Sequence, residues 1–316
     1  MGRWHAHAAE RLGAQVQAVV DPDHGVAAAL AARHRCCRTV PDLATALPDV
    51  DVVHVCSPAD THLGLATQAL SASRHALVEK PIASSVSDTA ALYAIAADHG
   101  AQLCPVHQFP FQDGVRRALD ERETIGPLRH LDLRICSAGA DNADDAGRQR
   151  VAEEVLVHPF SLVERFLPGA LAAIEWHVSN PLPGELQVTG TAAGTAVSIV
   201  VSMRGRPPVN RLELIGERAT AHVDLFHGFM AMDAGRATRT GKAARPFTRA
   251  AAVSTAAATN LVRRARRGEA AYPGLRTLIE AFYGSIAGQA DPPIAQRETL
   301  AVARACEQVA RACSGR

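Results

Sequence analysis

From residue 14 to about residue 110 the sequence alternates between short β-branched apolar runs and Ala/Leu-rich stretches of helical character. VQAVVD, VDVVHVCSP, HALVEKP and AQLCPVHQF read as strands, with GVAAALAARHR, HLGLATQALSAS and SVSDTAALYAIAADHG as the helices between them. Strands that stay apolar on consecutive positions are buried on both faces, so each intervening helix must cross over the sheet and cover it. The pattern therefore predicts parallel βαβ units in an α/β, doubly wound sheet. Gly100 follows the last turn of the third of these helices, where a left-handed residue caps a helix end.

After about residue 118 the texture changes. LRHLDLRICSAG reads as a strand, ADNADDAGRQR as a polar loop, and AEEVLVHPFSLVERFL has the period of one amphipathic helix. AAIEWHVSN, ELQVTG, TAVSIVVSM, RLELIG and TAHVDLF follow as strands, joined by the turn-rich connectors PLPGE, RGRPPVN and GERA. Strands so connected predict an open, mostly antiparallel sheet. Ala-rich helices, among them LRTLIEAFYGSIAG and ETLAVARACEQVARAC, close the chain. Domains are expected at residues 1–117 and 118–316, the second being α+β.

Composition narrows the function. Lys+Arg at 33 nearly cancel Asp+Glu at 32, so no global field favours nucleic acid or an anionic membrane. RRARRG, from Arg263, reads as a solvated helix face. The seven cysteines are irregularly spaced with no C-x-x-C pair, which fits reduced thiols and no metal site. No uncharged apolar run of about 18 residues is present, and the first residues carry Arg, His and Glu where a secretory signal would be apolar. A cytoplasmic protein acting on a small molecule, with no nucleic-acid or membrane partner, is the expectation.

VQAVVD ends in Asp21, 19 residues after Gly2. An acidic residue about 20 positions past a glycine fingerprint accepts the ribose hydroxyls of a bound dinucleotide, and no Arg follows to hold a 2′-phosphate. NAD is favoured over NADP, although DPDHG is also a plain turn. Gly2 stands where the third glycine of G-x-G-x-x-G would be, just inside a helix. The expectation is that a central strand and two glycines precede the chain as given. Without them two buried strand edges lack partners, at about 1–3 kcal/mol per unsatisfied group.

The segments GRWHA, CSPADTH, LVEKPIA and VLVHP together resemble the glucose-fructose oxidoreductase/inositol dehydrogenase (Gfo/Idh/MocA) family, and the resemblance spans essentially the whole chain. It implies an N-terminal Rossmann domain, a C-terminal α+β domain whose sheet makes a dimer or tetramer, and nicotinamide-dependent redox chemistry. By the same resemblance Lys80 is the lysine beside the nicotinamide and the reacting carbon, Glu79 contacts the nicotinamide ribose, and a cis bond is allowed at Pro81. Lys80 and Lys242 are the only lysines in the chain. An ammonium can stabilise a developing alkoxide and exchange its proton, which guanidinium cannot do.

His158 matches the family's acid/base histidine, and Glu154 falls where the family has Asp, one turn earlier on the same helix face. Glu adds a methylene, and a core histidine remains the bland alternative for His158. Ser57, Pro58 and His62 match the segment that lines the cofactor, with Gln108 also on the cofactor side and His107 and His158 toward substrate. The leading reading is NAD-dependent hydride transfer at a secondary alcohol of a sugar, nucleotide sugar or cyclitol. The alternatives are a redox-neutral enzyme that keeps its NAD, performing epimerisation or elimination, and a non-catalytic NAD-binding regulator.

Overall fold

The computed structural model describes residues 1–234, 238–269 and 271–314. They form two compact units: Met1–His107 with Leu275–Leu300, and Gln108–Gly274 with Ala301–Arg316. The boundary expected near residue 117 lies inside the second unit, and a late segment returns to the first. Its helix, Leu275–Ile286, buries Leu278, Ile279 and Phe282, while Ser285 Oγ donates to Gln102 Oε1 at 2.8 Å. Periodicity shows that such a helix has an apolar face, but not which sheet that face will cover.

The first unit holds five short parallel strands: β1 (Ala18–Val19), β2 (Arg38–Thr39), β3 (Val52–Val55), β4 (His75–Val78) and β5 (Leu103–Pro105). β1 pairs with β2, and β3, β4 and β5 form a second sheet in that order, every pair parallel. The parallel strands thus fall into two separate sheets. β2 is a strand that the polar sequence RTV did not announce. Ala76, Leu77 and Val78 of β4 are fully buried, as a strand covered on both faces requires.

Helix starts follow their capping residues. The Asp23 carboxylate accepts from the backbone N–H groups of Gly25 and Val26. Ser85 Oγ accepts from Asp88 N at 3.0 Å and donates to the Asp88 carboxylate at 2.7 Å, opening Val86–Asp98. Gly100 ends that helix at φ +62°, as expected of a left-handed cap.

The second unit is built on one seven-stranded sheet. Its strands are β6 (Leu128–Cys136), β7 (His177–Leu182), β8 (Glu185–Ala192), β9 (Thr195–Ser202), β10 (Val209–Gly216), β11 (Ala219–Asp224) and β12 (Phe229–Ala234). The order is β12-β11-β10-β6-β9-β8-β7, antiparallel except where β6 runs parallel to β9. Alternate residues such as Leu131, Leu133, Val197 and Ile199 enter a core that also takes Phe160 and Leu162. β12 was not foreseen, because its sequence FMAMDA lacks β-branched residues.

One further expectation is corrected. The segment read as one helix is two, Asp145–Val155 and Val157–Phe166, and the first begins inside the stretch expected to be a loop. Pro159 has no N–H to give Val155 O, which accounts for the break at Leu156. The basic run ends the long helix Arg239–Arg267. It is an exposed helix face, as expected, within which Arg263 and Arg267 ion-pair with Asp113 at 3.3 and 3.0 Å.

Candidate active site

In an open α/β sheet, chemistry gathers at the carboxyl ends of the strands. β4 ends there in Glu79, Lys80 and Pro81, and the Lys80–Pro81 bond is cis. Glu79 is buried, which by itself raises a carboxyl pKa. Hydrogen bonds from His5 and the Lys80 amide, with the positive charge of the Lys80 ammonium, outweigh burial, and the group sits below its ordinary value. His5 Nε2 lies 3.1 Å from Glu79 Oε1, and the Lys80 amide donates to Glu79 Oε2 at 3.2 Å. Among the described residues, no hydrogen bond or ion pair holds the partly buried Lys80 ammonium, which leaves it available for chemistry.

The segment after β3 is tied down by His62. Its Nδ1 lies 2.7 Å from Pro81 O and its Nε2 2.9 Å from Ser57 O. Both ring nitrogens are engaged with backbone, so His62 fixes the ends of β3 and β4 against each other, where the sequence suggested that it faces the cofactor. Ser57 Oγ is hydrogen-bonded to Thr61 Oγ1 at 2.5 Å, and Pro58 starts the short turn between them.

Asp21, just past β1, uses Oδ1 to accept from Asp23 N at 2.9 Å. That is the turn interaction read as its alternative, and a carboxylate with two oxygens keeps capacity for a ribose hydroxyl. Gly2 opens the helix Gly2–Arg11, whose N-cap Met1 supplies no side-chain cap. A helix N-terminus of this kind suits a phosphate. Close packing is not what Gly2 provides, however: a Cβ there would meet Leu30 Cδ2 at 3.9 Å and Cys56 Cβ at 4.0 Å, ordinary contact distances.

In the second unit, His158 is buried near the start of Val157–Phe166 and stacks on Phe109, with ring centroids 4.2 Å apart and planes 10° apart. The expected one-turn relation of Glu154 to His158 spans the helix break instead of an unbroken turn. Gln108 is buried with its Oε1 lacking a hydrogen-bond partner, an acceptor still able to receive a donor. His107, buried at the end of the first unit's main segment, donates its backbone N–H to Pro105 O.

Sequence reasoning missed His5, His54, Tyr283 and Phe109. GRWHA places His5 on the first helix, but nothing in the sequence says that it reaches Glu79, 74 residues away. Among the described residues no group of three or more His, Cys, Asp or Glu side chains is placed to hold a metal, and none of the seven cysteines is in a disulfide. No helix among those residues is long and apolar enough to cross a membrane. Within the first unit, an uncapped helix start, a carboxylate past β1 and an ammonium beside β4 fit a dinucleotide.

Residues 1–107 match the family model described as an oxidoreductase family with an NAD-binding Rossmann fold. UDP-N-acetylglucosamine 3-dehydrogenase of Acidithiobacillus ferrooxidans is 27% identical over 246 residues, 72% of this chain and 72% of that protein. Inositol 2-dehydrogenase of Rhizobium meliloti is 29% identical over 54% of this chain and 52% of its own length. Among solved structures, levoglucosan dehydrogenase in complex with NADH and levoglucosan superposes with a TM-score of 0.77 at 15% identity, covering 100% of this chain and 95% of that one. The WlbA dehydrogenase of Bordetella pertussis, with NADH and UDP-GlcNAcA, gives 0.75 at 17% identity over 99% and 93%. Residues 1–107 are thus similar to the NAD-binding Rossmann part of this oxidoreductase family, and the solved structures extend the likeness of fold over the whole chain.

Proposed function

We propose that this protein is an NAD-dependent dehydrogenase that oxidises a secondary alcohol of a sugar, nucleotide sugar or cyclitol. The observation that carries the reading is Lys80, a side chain at the carboxyl end of β4 whose ammonium no described residue holds, beside a Glu79 carboxylate fixed by His5. The relatives' names supply the substrate class, since they act on a UDP-sugar and on inositol. Bound NAD supplies the hydride acceptor. Asp21, the helix start at Gly2, Ser57, Pro58, Glu79 and Gln108 bind it, and His62 holds the loop that shapes the site.

Lys80 stabilises the negative charge that develops on the substrate oxygen as its carbon loses hydride. His158 takes the hydroxyl proton, its ring plane set by the stack on Phe109. His107 contacts substrate, and Glu154 orients His158 or the substrate. The open sheet of the second unit joins copies into a dimer or tetramer, and the working location is the cytoplasm. Domains follow the two units, one for cofactor and one for substrate.

The split sheet and the helix break between Glu154 and His158 favour, as a second reading, a member that binds NAD without turning substrate over. Calorimetric titration with NAD, followed by a screen of sugars, nucleotide sugars and inositols for NADH formation, separates the two. NAD binding with turnover abolished by Lys80→Ala and by His158→Ala supports the dehydrogenase. NAD binding without turnover supports the regulator, and no binding defeats both.

A further inference from the structure

Behind Glu79 a line of buried polar side chains runs through the first unit. His5 Nε2 lies 3.1 Å from Glu79 Oε1, His5 Nδ1 lies 3.0 Å from His54 Nδ1, and His54 Nε2 lies 2.9 Å from the Tyr283 hydroxyl. The rings meet edge to face: His5 and His54 are 5.2 Å apart at 88°, His54 and Tyr283 5.9 Å apart at 64°. Three elements distant in sequence supply the members, the helix Gly2–Arg11, strand β3 and the helix Leu275–Ile286.

Hydrogen-bond chemistry gives this line a direction. A carboxylate only accepts, so His5 Nε2 carries a proton and donates to Glu79. In neutral His5 the other nitrogen, Nδ1, is then an acceptor. Two ring nitrogens 3.0 Å apart need one proton between them, so His54 donates from Nδ1. Its Nε2 is in turn an acceptor, and only the Tyr283 hydroxyl can fill it. With His5 neutral every proton points toward Glu79, and losing the Tyr283 hydroxyl or the His54 ring leaves the His5–His54 contact without a fixed donor.

We propose that His54 and Tyr283 are positioning residues for Glu79, acting through His5 to fix the tautomer that donates to the carboxylate facing the cofactor. The proposal rests on the cofactor-binding role assigned to Glu79 above. Burial, with the proximity of His5, holds His54 neutral by taking its pKa down to about 3, and burial pushes the Tyr283 hydroxyl up to about 12. The other charged or titratable groups facing this line are Lys80 beside Glu79, and Cys56, which senses both Glu79 and the N-terminal amino group. None of these can replace the Tyr283 proton at His54 Nε2.

Long-range nitrogen-15/proton correlation spectra near neutral pH read histidine tautomers directly, without cofactor. His5 is expected as the Nε2–H form and His54 as the Nδ1–H form; the reverse assignment, or a charged His5 or His54, overturns the proposal. Tyr283→Phe and His54→Leu are expected to release His5 from its single tautomer. They should also weaken NAD about tenfold, the scale of one hydrogen bond to a charged group. The acid limb of NAD binding then moves to higher pH, because a Glu79 that has lost its donor protonates more readily. His54→Asn, whose amide can still donate to His5, is expected to keep the tautomer and most of the affinity. If Tyr283→Phe and His54→Leu leave both tautomer and affinity unchanged, the residues are merely structural and the proposal fails. If the unmodified protein binds no NAD, the functional reading fails, while the tautomer spectra still decide whether the line is ordered.

Discussion

The two units solve the problem of burying a sheet in opposite ways. In the second, seven strands of six to nine residues form one ladder, and alternate side chains fill a single apolar core. In the first, strands of two to four residues lie in two separate sheets, and polar side chains such as His5, His54, Glu79 and His62 carry much of the cross-linking. A long ladder spreads its stability over many equivalent contacts. A few specific hydrogen bonds place individual atoms instead, and the first unit spends its polar groups around the end of β4. The lesson is a contrast between a unit whose stability is spread over one long ladder and a unit whose polar side chains fix individual atoms.

That contrast can be broken by experiment. The largest expected effect is kinetic and belongs to the first unit: Lys80→Ala should lower kcat about 10²–10⁴-fold, with the far-ultraviolet circular dichroism spectrum unchanged. Phe160→Ala, which empties a fully buried position beside Trp176 in the second unit, should cost about 3–5 kcal/mol in urea unfolding. Equal losses of stability from the two substitutions would erase the contrast. Glycines sharpen it further. In the second unit a Cβ on Gly216 would lie 2.2 Å from Ile125 O, so Gly216→Ala should cost about 1–3 kcal/mol.

The first unit should also answer to acid. His54 stays neutral when folded, with its pKa lowered from 6.5 to about 3, whereas the unfolded chain takes up a proton as pH falls below its ordinary value. The unfolded state then binds more protons, so stability falls as pH drops from about 6.5 toward 3, by up to about 1.4 kcal/mol per pH unit. Denaturant unfolding at successive pH values should show a slope that His54→Asn removes. The smallest effect is expected at Gly2, where Ala would meet only ordinary contacts and should change the unfolding midpoint by the equivalent of about 0.5 kcal/mol or less.

Much of this architecture is legible from the residues. The alternation of apolar runs and helices announces parallel strands, and E-K-P with Asp21 marks the carboxyl edge of the sheet. The turn-rich second half announces an antiparallel sheet. What escaped was set by distance or by a single atom. FMAMDA forms β12 because β11 offers it an edge in register from Ala219 to Asp224, not because its residues prefer strands. The missing N–H of Pro159 divides a helix that hydrophobic period alone runs straight through. Tyr283 meets His54 across 229 residues, and no local pattern encodes such a meeting.

The return of residues 275–300 to the first unit has a consequence for the chain as it is made. A domain contiguous in sequence can close while later residues are still being synthesised. Here Met1–His107 must wait for the helix that carries Phe282 and Tyr283, and the second unit waits for Ala301 onward to bring Val302 and Val309 into its core. Neither unit is complete before the segments after Gly274 have been made. Until then the polar line from Glu79 through His5 and His54 lacks its Tyr283 end.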